Sequence, residues 1–208
     1  AMGLSIIALI MINGTLSVVP VGTLFVDNFT RSTDPGPLSP WVVQAGTWSV
    51  TGGMLASGTN TPGSYGYAYL TNIWTDYSAQ ALIRLSSGTF GGGLTTRLNP
   101  TTGARYAAWI YPEGSMGGPN VLKLLKFQTW TVFTLMQQVS LPVVGTNGHT
   151  LKLIARGNRL VAYYDGALVA SYTDPDAQPF LTGGIGLELW SAATADTLSA
   201  DDVLRGPP

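Results

Sequence analysis

Between His149 and Leu204 apolar residues recur at every second position. Leu151, Leu153 and Ala155 alternate with other residues, and Leu160, Ala162 and Tyr164 do so again beyond Gly157-Asn158. Period-two alternation around a two-residue Gly/Asn turn predicts a β-hairpin with one buried face. Asp165-Gly166 follows, a pair that tolerates the positive φ angles of a type I′ turn. Further strands are expected at Ala167–Tyr172, Gly184–Trp190 and Leu198–Leu204. Five short strands with no helical stretch between them make an antiparallel sheet, and the upstream chain has to pack on it.

Upstream the same rhythm predicts strands at Leu24–Phe29, Trp41–Val43, Thr47–Val50, Met54–Ser57 and Tyr65–Leu70. Tyr77, Ala79, Ala81, Ile83 and Leu85 form the core face of a longer one. Gly91–Leu98 and Arg105–Tyr111 read as a hairpin across Asn99–Gly103, followed by Val121–Phe127, Val132–Leu135 and Gln138–Leu141. Ser32–Pro40, rich in proline, is a loop. No linker divides residues 24–208, which are expected to form one domain.

The first 23 residues are set apart as an apolar hairpin or extension. Leu4 to Ile12 is too short for a membrane helix, which needs about 20 apolar residues, and it breaks at Asn13-Gly14. Three readings stay open: a hairpin of Ile6–Ile12 and Leu16–Val21, a remnant of a targeting or pilin-like segment, and a disordered lead. A hairpin apolar on both faces must be covered, either by the domain or by another copy. The second option implies a homo-oligomer through residues 4–21.

The segments "HTLKLIARGNRLVAYYDGALVASYTDP", "GGIGLELWS" and "ADDVL" resemble the C-terminal half of a concanavalin A-like, laminin G-like jelly roll. "LFVDNFTR", "WVVQAGTWSVTGGML", "GGGLTTRLNPTTGARYAAWIYP" and "VLKLLKF" fall upstream in the order that family shows. The resemblance covers roughly residues 24–205 and implies an all-β fold, an antiparallel two-sheet β-sandwich. It specifies function poorly, because lectins, glycanases and adhesive modules share the architecture.

Composition narrows the partners. Only 10% of the 208 residues are charged, against about 25% in an average domain, and 45% are hydrophobic. A net charge of −1 gives no electrostatic case for nucleic acid or an anionic membrane. With no cysteine, disulfides and thiolate chemistry are excluded. A surface poor in charge suits neutral ligands in an extracellular or cell-surface setting.

Parity assigns the middle strands a second face. With Leu94, Thr96, Leu98, Tyr106, Ala108, Ile110, Leu122, Leu124, Leu187 and Leu189 turned inward, the other face collects Tyr67, Tyr69, Arg97, Arg105, Trp109, Tyr111, Lys123, Glu188 and Trp190. Aromatic rings stack on the apolar face of a pyranose, and charged groups hydrogen-bond its hydroxyls. In the family resembled, the concave sheet is the usual carbohydrate surface. The competing reading is structural, since aromatic–Arg pairs across strands stabilise sheets unaided.

Catalysis finds little support in the residues. A glycosidase needs two carboxylates about 5–10 Å apart, and the Glu-x-Asp-x-x-Glu strand of laminarinase-type relatives is missing; Glu113 and Glu188 are the only glutamates. His149 reads as a surface or satisfied histidine, and no Gly-x-Ser-x-Gly elbow occurs. The expectation is a carbohydrate-binding or adhesion module, not an enzyme. A self-assembling structural block with no glycan ligand is the alternative, and a glycoside or keto-sugar hydrolase-like enzyme a more distant one. The resemblance also implies that the first and last strands lie together and that one structural calcium could bridge Asp27 with Asp201 or Asp202.

Overall fold

The computed structural model describes residues 7–12, 15–20 and 25–208, the first two stretches by backbone alone. No helix occurs among the described residues, and so none is long and apolar enough to cross a membrane. In chain order the strands are β1 (Ile7–Ile12), β2 (Thr15–Pro20), β3 (Phe25–Asp27), β4 (Val42–Ala45), β5 (Trp48–Thr51) and β6 (Met54–Ser57). Next come β7 (Ser64–Tyr69), β8 (Tyr77–Leu85), β9 (Gly91–Leu98), β10 (Arg105–Tyr111), β11 (Val121–Phe127) and β12 (Phe133–Ser140). The last five are β13 (His149–Arg156), β14 (Arg159–Tyr164), β15 (Ala167–Thr173), β16 (Gly184–Ser191) and β17 (Leu198–Gly206).

Strands β1 and β2 pair antiparallel, with Ile7 opposite Pro20 and Ile12 opposite Thr15. The Asn13-Gly14 turn lies outside the described residues. So do the side chains of residues 4–21, on which the oligomer expectation rests.

The domain is a sandwich of two antiparallel sheets. A seven-stranded sheet runs β12-β11-β10-β9-β16-β7-β4; the other runs β15-β14-β13-β8-β17-β6-β5, with β3 also on β17. One face of each sheet supplies the shared core. Leu151, Leu153, Ala155, Leu160, Ala162 and Tyr164 from the β13–β14 hairpin lie in it, as do Tyr77, Ala79, Ala81, Ile83 and Leu85 of β8. The facing layer is Leu94, Tyr106, Ala108, Ile110, Leu122, Leu124, Leu187 and Leu189. Burying an aliphatic or aromatic side chain contributes about 1.5–3 kcal/mol, so the alternation is what holds the two layers together.

Among the register shifts in the two sheets, two bear on the expected strands and their neighbours. Val132–Leu135 and Gln138–Leu141, expected as separate strands, are one strand. A bulge sets Leu124 opposite Gln137 but Leu125 opposite Leu135, so Met136 is the extra residue and pairing resumes beyond it. A second bulge lies in β17 between Asp201 and Leu204, where Asp202 takes φ 48°. It hands β17 from β6, paired at Ser199 and Ala200, to β3, where Val203 stands opposite Asp27. The first and last strands of the domain are thus neighbours.

Candidate functional site

The face of the seven-stranded sheet turned away from the core is organised in rows. Tyr67, Glu188, Gly93, Trp109 and Lys123 stand opposite one another across β7, β16, β9, β10 and β11. In the next row Tyr65 faces Trp190, which faces Gly91. On this face β9 therefore carries glycine where its neighbours carry large side chains. A Cβ at Gly91 would meet the Tyr111 ring at 2.8 Å, and one at Gly93 would meet Ala108 O at 2.1 Å. The large side chains of β10 and β16 close over this trench.

The result is a second, smaller core. Ala107, Trp109, Tyr111, Val121, Leu125 and Phe127 are buried in it, with Tyr65, Phe90 and Trp190 packed at its edge. Its polar centre is Glu188, which accepts from Arg105 Nε at 2.6 Å and from Trp109 Nε1 at 2.6 Å. Burial pushes the Glu188 carboxyl above its ordinary value, and Arg105 and Trp109 pull against that shift.

Arg105 extends the network into the β9–β10 turn at Gly103 and into the β11–β12 turn at Thr129 and Trp130. It donates to Gly103 O at 2.7 Å, Thr129 O at 3.2 Å and Trp130 O at 3.4 Å. Its guanidinium lies 3.7 Å from the Phe127 ring centroid and 4.9 Å from that of Tyr67. Tyr67 Oη donates to Trp130 O as well. These bonds fold the β11–β12 turn back over the sheet, so that the Trp130 ring sits 5.0 Å from Tyr67 and 6.1 Å from Tyr69.

What remains accessible is a groove of about 630 Å³ beside this turn. It is lined by Tyr65, Tyr67, Trp130 and Trp190, with Gln44, Ser64 and Thr131 as its polar side chains. Tyr65 stacks on Tyr67 at 5.2 Å and meets Trp190 edge-on at 4.5 Å. Apart from the tyrosines, no lining residue is ionisable.

Of the nine residues expected on an open face, the sheet brings eight together, and most lie beneath the surface. Arg105, Trp109, Tyr111 and Glu188 are at most 3% exposed, so their rings and charges are turned to one another. Lys123 Nζ sits 4.5 Å above the Tyr111 ring and donates to Gly117 O; burial lowers its pKa. Tyr69 is buried against Trp130, while Tyr67 and Trp190 reach the groove.

Arg97 is a correction. A register shift between Gly184 and Gly186 on β16, with φ 59° at Arg97, reverses the parity of β9 at this point. Leu98 comes to the outer face, 3.5 Å from where a Cβ on Gly186 would stand. Arg97 turns instead to the end of the sandwich, where it donates to Asp76 at 3.0 Å, to Ala155 O at 3.3 Å and to Leu181 O.

Sequence reasoning missed the groove's polar side chains and two of its four aromatic residues. Tyr65 shares parity with Tyr67 and Tyr69 and was legible on that ground. Trp130 lies in a turn, where alternation carries no information.

The calcium expectation does not fit these residues. Both oxygens of Asp27 are engaged: Oδ1 accepts from Phe29 N and Arg31 Nη1, each at 2.9 Å, and Oδ2 from Arg31 Nη2 at 2.8 Å and Trp41 Nε1 at 3.0 Å. The Arg31 guanidinium already pairs with both oxygens of this carboxylate. Asp201 is half-buried, its carboxyl raised by burial and by the charges of Asp202 and Asp27, and Asp202 is exposed; no group of three or more His, Cys, Asp or Glu able to hold a metal occurs among the described residues.

No family model matches the sequence, and no curated protein matches it. Solved structures do match the fold. A carbohydrate-binding module, CBM66 from Bacillus subtilis, is 20% identical with a TM-score of 0.68, over 86% of this chain and 99% of that one. A Bacillus licheniformis β-glucanase is 16% identical with a TM-score of 0.65, over 90% and 98%. The Crh5 transglycosylase is 16% identical with a TM-score of 0.64, over 88% and 83%.

The last two overturn the expectation that the chain is not an enzyme. That expectation rested on a missing carboxylate motif, and the same architecture carries glycan-cleaving and glycan-transferring enzymes. The two sheets, their strand order and these similarities together establish that the chain has the concanavalin A-like jelly-roll fold.

Proposed function

We propose that the chain binds a segment of neutral glycan in the groove between Tyr65, Tyr67, Trp130 and Trp190. The observation that carries this is a groove of about 630 Å³ walled by aromatic rings and free of charged side chains, within the roughly 300–1,000 Å³ of ligand sites. The C–H face of a pyranose packs on a ring, while Gln44, Ser64 and Thr131 are placed to bond its hydroxyls. An uncharged lining favours neutral sugars over uronates. The carbohydrate-related fold neighbours support the reading, and such a ligand implies work outside the cell or at its surface.

The test is retention in gels containing soluble β-1,3-1,4-glucan, xylan or mannan, followed by calorimetry on any ligand found. Trp190→Ala and Trp130→Ala should each weaken binding by about 5–30-fold, corresponding to roughly 1–2 kcal/mol for a stacked ring; because Trp190 also borders the second core, binding is compared at a temperature where circular dichroism shows each variant folded. Equal binding by both variants, or no retention by any glycan, rejects the groove. The same samples are read for newly released reducing ends, which would extend the reading from binding to cleavage.

A second reading, assembly between copies, draws on β12. This edge strand exposes Phe133 and Leu135 beside exposed Val132 and bears no charged residue, a combination that invites strand addition. Concentration-dependent mass without sugar, lost in Leu135→Lys, would favour it.

A further inference from the structure

The opposite side of the molecule carries a hollow of a different character. On the outer face of the eight-stranded sheet a cavity of about 370 Å³ is lined by Gln80, Thr150, Lys152, Ile154, Tyr163 and Gly166. That volume also falls within the range of small-ligand sites, about 300–1,000 Å³.

Lys152 is what sets it apart. The chain has three lysines, and the other two have protein acceptors: Lys123 bonds Gly117 O, and Lys126 bonds Asp174 and Asp176 at 2.7 and 2.8 Å. Lys152 is half-buried, yet it has no hydrogen-bond or ion-pair partner among the described residues. A partly desolvated cation without a counter-charge is unfavourable, and sheets normally offset it with an acid on a neighbouring strand. Here the residues directly opposite are Gln80 and Tyr163. The nearest carboxylate in the sheet register, Asp165, is committed to Thr150 N at 2.8 Å and His149 Nδ1 at 2.7 Å.

We propose that this hollow is a second binding site, for a sugar residue that carries a carboxylate. The proposal does not rest on the neutral groove, which shares none of its residues. The Lys152 ammonium supplies the counter-charge for the carboxylate, through a charge-assisted hydrogen bond. Tyr163 and Ile154 offer apolar surface to the ring face, and Gln80 and Thr150, whose side chains also have no partner among the described residues, read hydroxyls. Gly166 has nothing within 4 Å of where its Cβ would stand, so the hollow is open at the Asp165-Gly166 turn and a longer chain can leave there.

The test is NMR titration of the isotope-labelled full chain with trigalacturonate, trimannuronate, methyl-esterified trigalacturonate and inorganic phosphate. Saturable shifts at Thr150, Lys152, Tyr163 and Gly166 with either free uronate are expected. Methyl esterification, or Lys152→Met, should weaken binding at least about tenfold, the loss of one charge-assisted bond. Trp190→Ala should leave it unchanged. Absence of saturation by both uronates at millimolar concentration overturns the proposal, as does equal binding of the ester or by Lys152→Met. Phosphate binding as tightly as the uronates would reduce the hollow to an anion spot and overturn the sugar assignment. Shifts confined to β7 and β16 would place the ligand in the aromatic groove and overturn it too.

Discussion

Trp109 and Glu188 stand on strands that do not pair, with Gly93 of β9 between them, and yet Nε1 of the indole donates to the carboxylate at 2.6 Å. The contact exists because the intervening strand has no side chain there. It closes the outer face of the sheet and leaves a buried acid whose principal compensation is the Arg105 guanidinium.

The Arg105–Glu188 pair is therefore expected to be brittle. With Arg105 wholly buried and Glu188 2% exposed, Glu188→Ala should cost about 3–5 kcal/mol, because it strands a buried charge. Arg105→Met combined with Glu188→Leu should cost less than the two single changes together. Urea unfolding of the four proteins decides it, and strict additivity would contradict the pairing.

Gly93 is expected to refuse even one methyl group. A Cβ there would approach Ala108 O to 2.1 Å, far inside van der Waals contact, so the β9–β10 ladder must shift. Overpacking of this kind costs about 1–3 kcal/mol or more. Gly93→Ala should lower the melting temperature and weaken the near-ultraviolet signal of the buried indole. By contrast Gly166→Ala lacks any such contact and is strained only by its φ of 79°.

Acid should weaken the domain through Asp174. Burial raises its carboxyl, but the Lys126 ammonium, Tyr106 Oη and Asp176 N–H together outweigh burial and hold it below its ordinary value. A carboxyl lowered in the folded state contributes stability that is complete above its unfolded value, about 3.9, and is lost as pH falls through the folded one. Asp76, lowered by Gly157 N–H and Arg97, acts in the same sense. Glu188, raised by burial, has the opposite sign. Asp174→Asn should flatten the acid limb of melting temperature against pH below about pH 5; an unchanged limb would exclude Asp174 as a contributor.

Chelation should have no effect at the junction of β3 and β17. Asp27 is neutralised by Arg31 and bonded by Trp41 and Phe29 N, so EDTA or added calcium should leave the melting temperature where it was. Asp27→Ala should lower stability by about 1–3 kcal/mol, since it leaves the Trp41 indole and Phe29 amide unpaired. A shift of several degrees with EDTA would restore the metal.

Much of the architecture was readable from residue order. Leu151, Leu153 and Ala155 are core because apolar residues two apart share one face of any strand, whatever lies opposite. Gly157-Asn158 and Asp165-Gly166 are turns because the chain there takes φ of 53° at Gly157, 48° at Asp165 and 79° at Gly166, angles these residues tolerate best. The same logic placed Tyr67, Trp109, Glu188 and Trp190 on one face.

Period two names a face and says nothing of depth. Whether Trp109 meets solvent depends on Gly93 beside it and on the Trp130 turn folded over the face by Arg105, contacts between residues far apart in the chain. Arg97 left the face because a bulge in its own strand, three steps of β9 from Thr95 to Leu98 against two of β16 from Gly184 to Gly186, reversed the count, and the alternation of apolar residues does not announce it. Local sterics write the alternation into each strand; burial belongs to the assembled sheet.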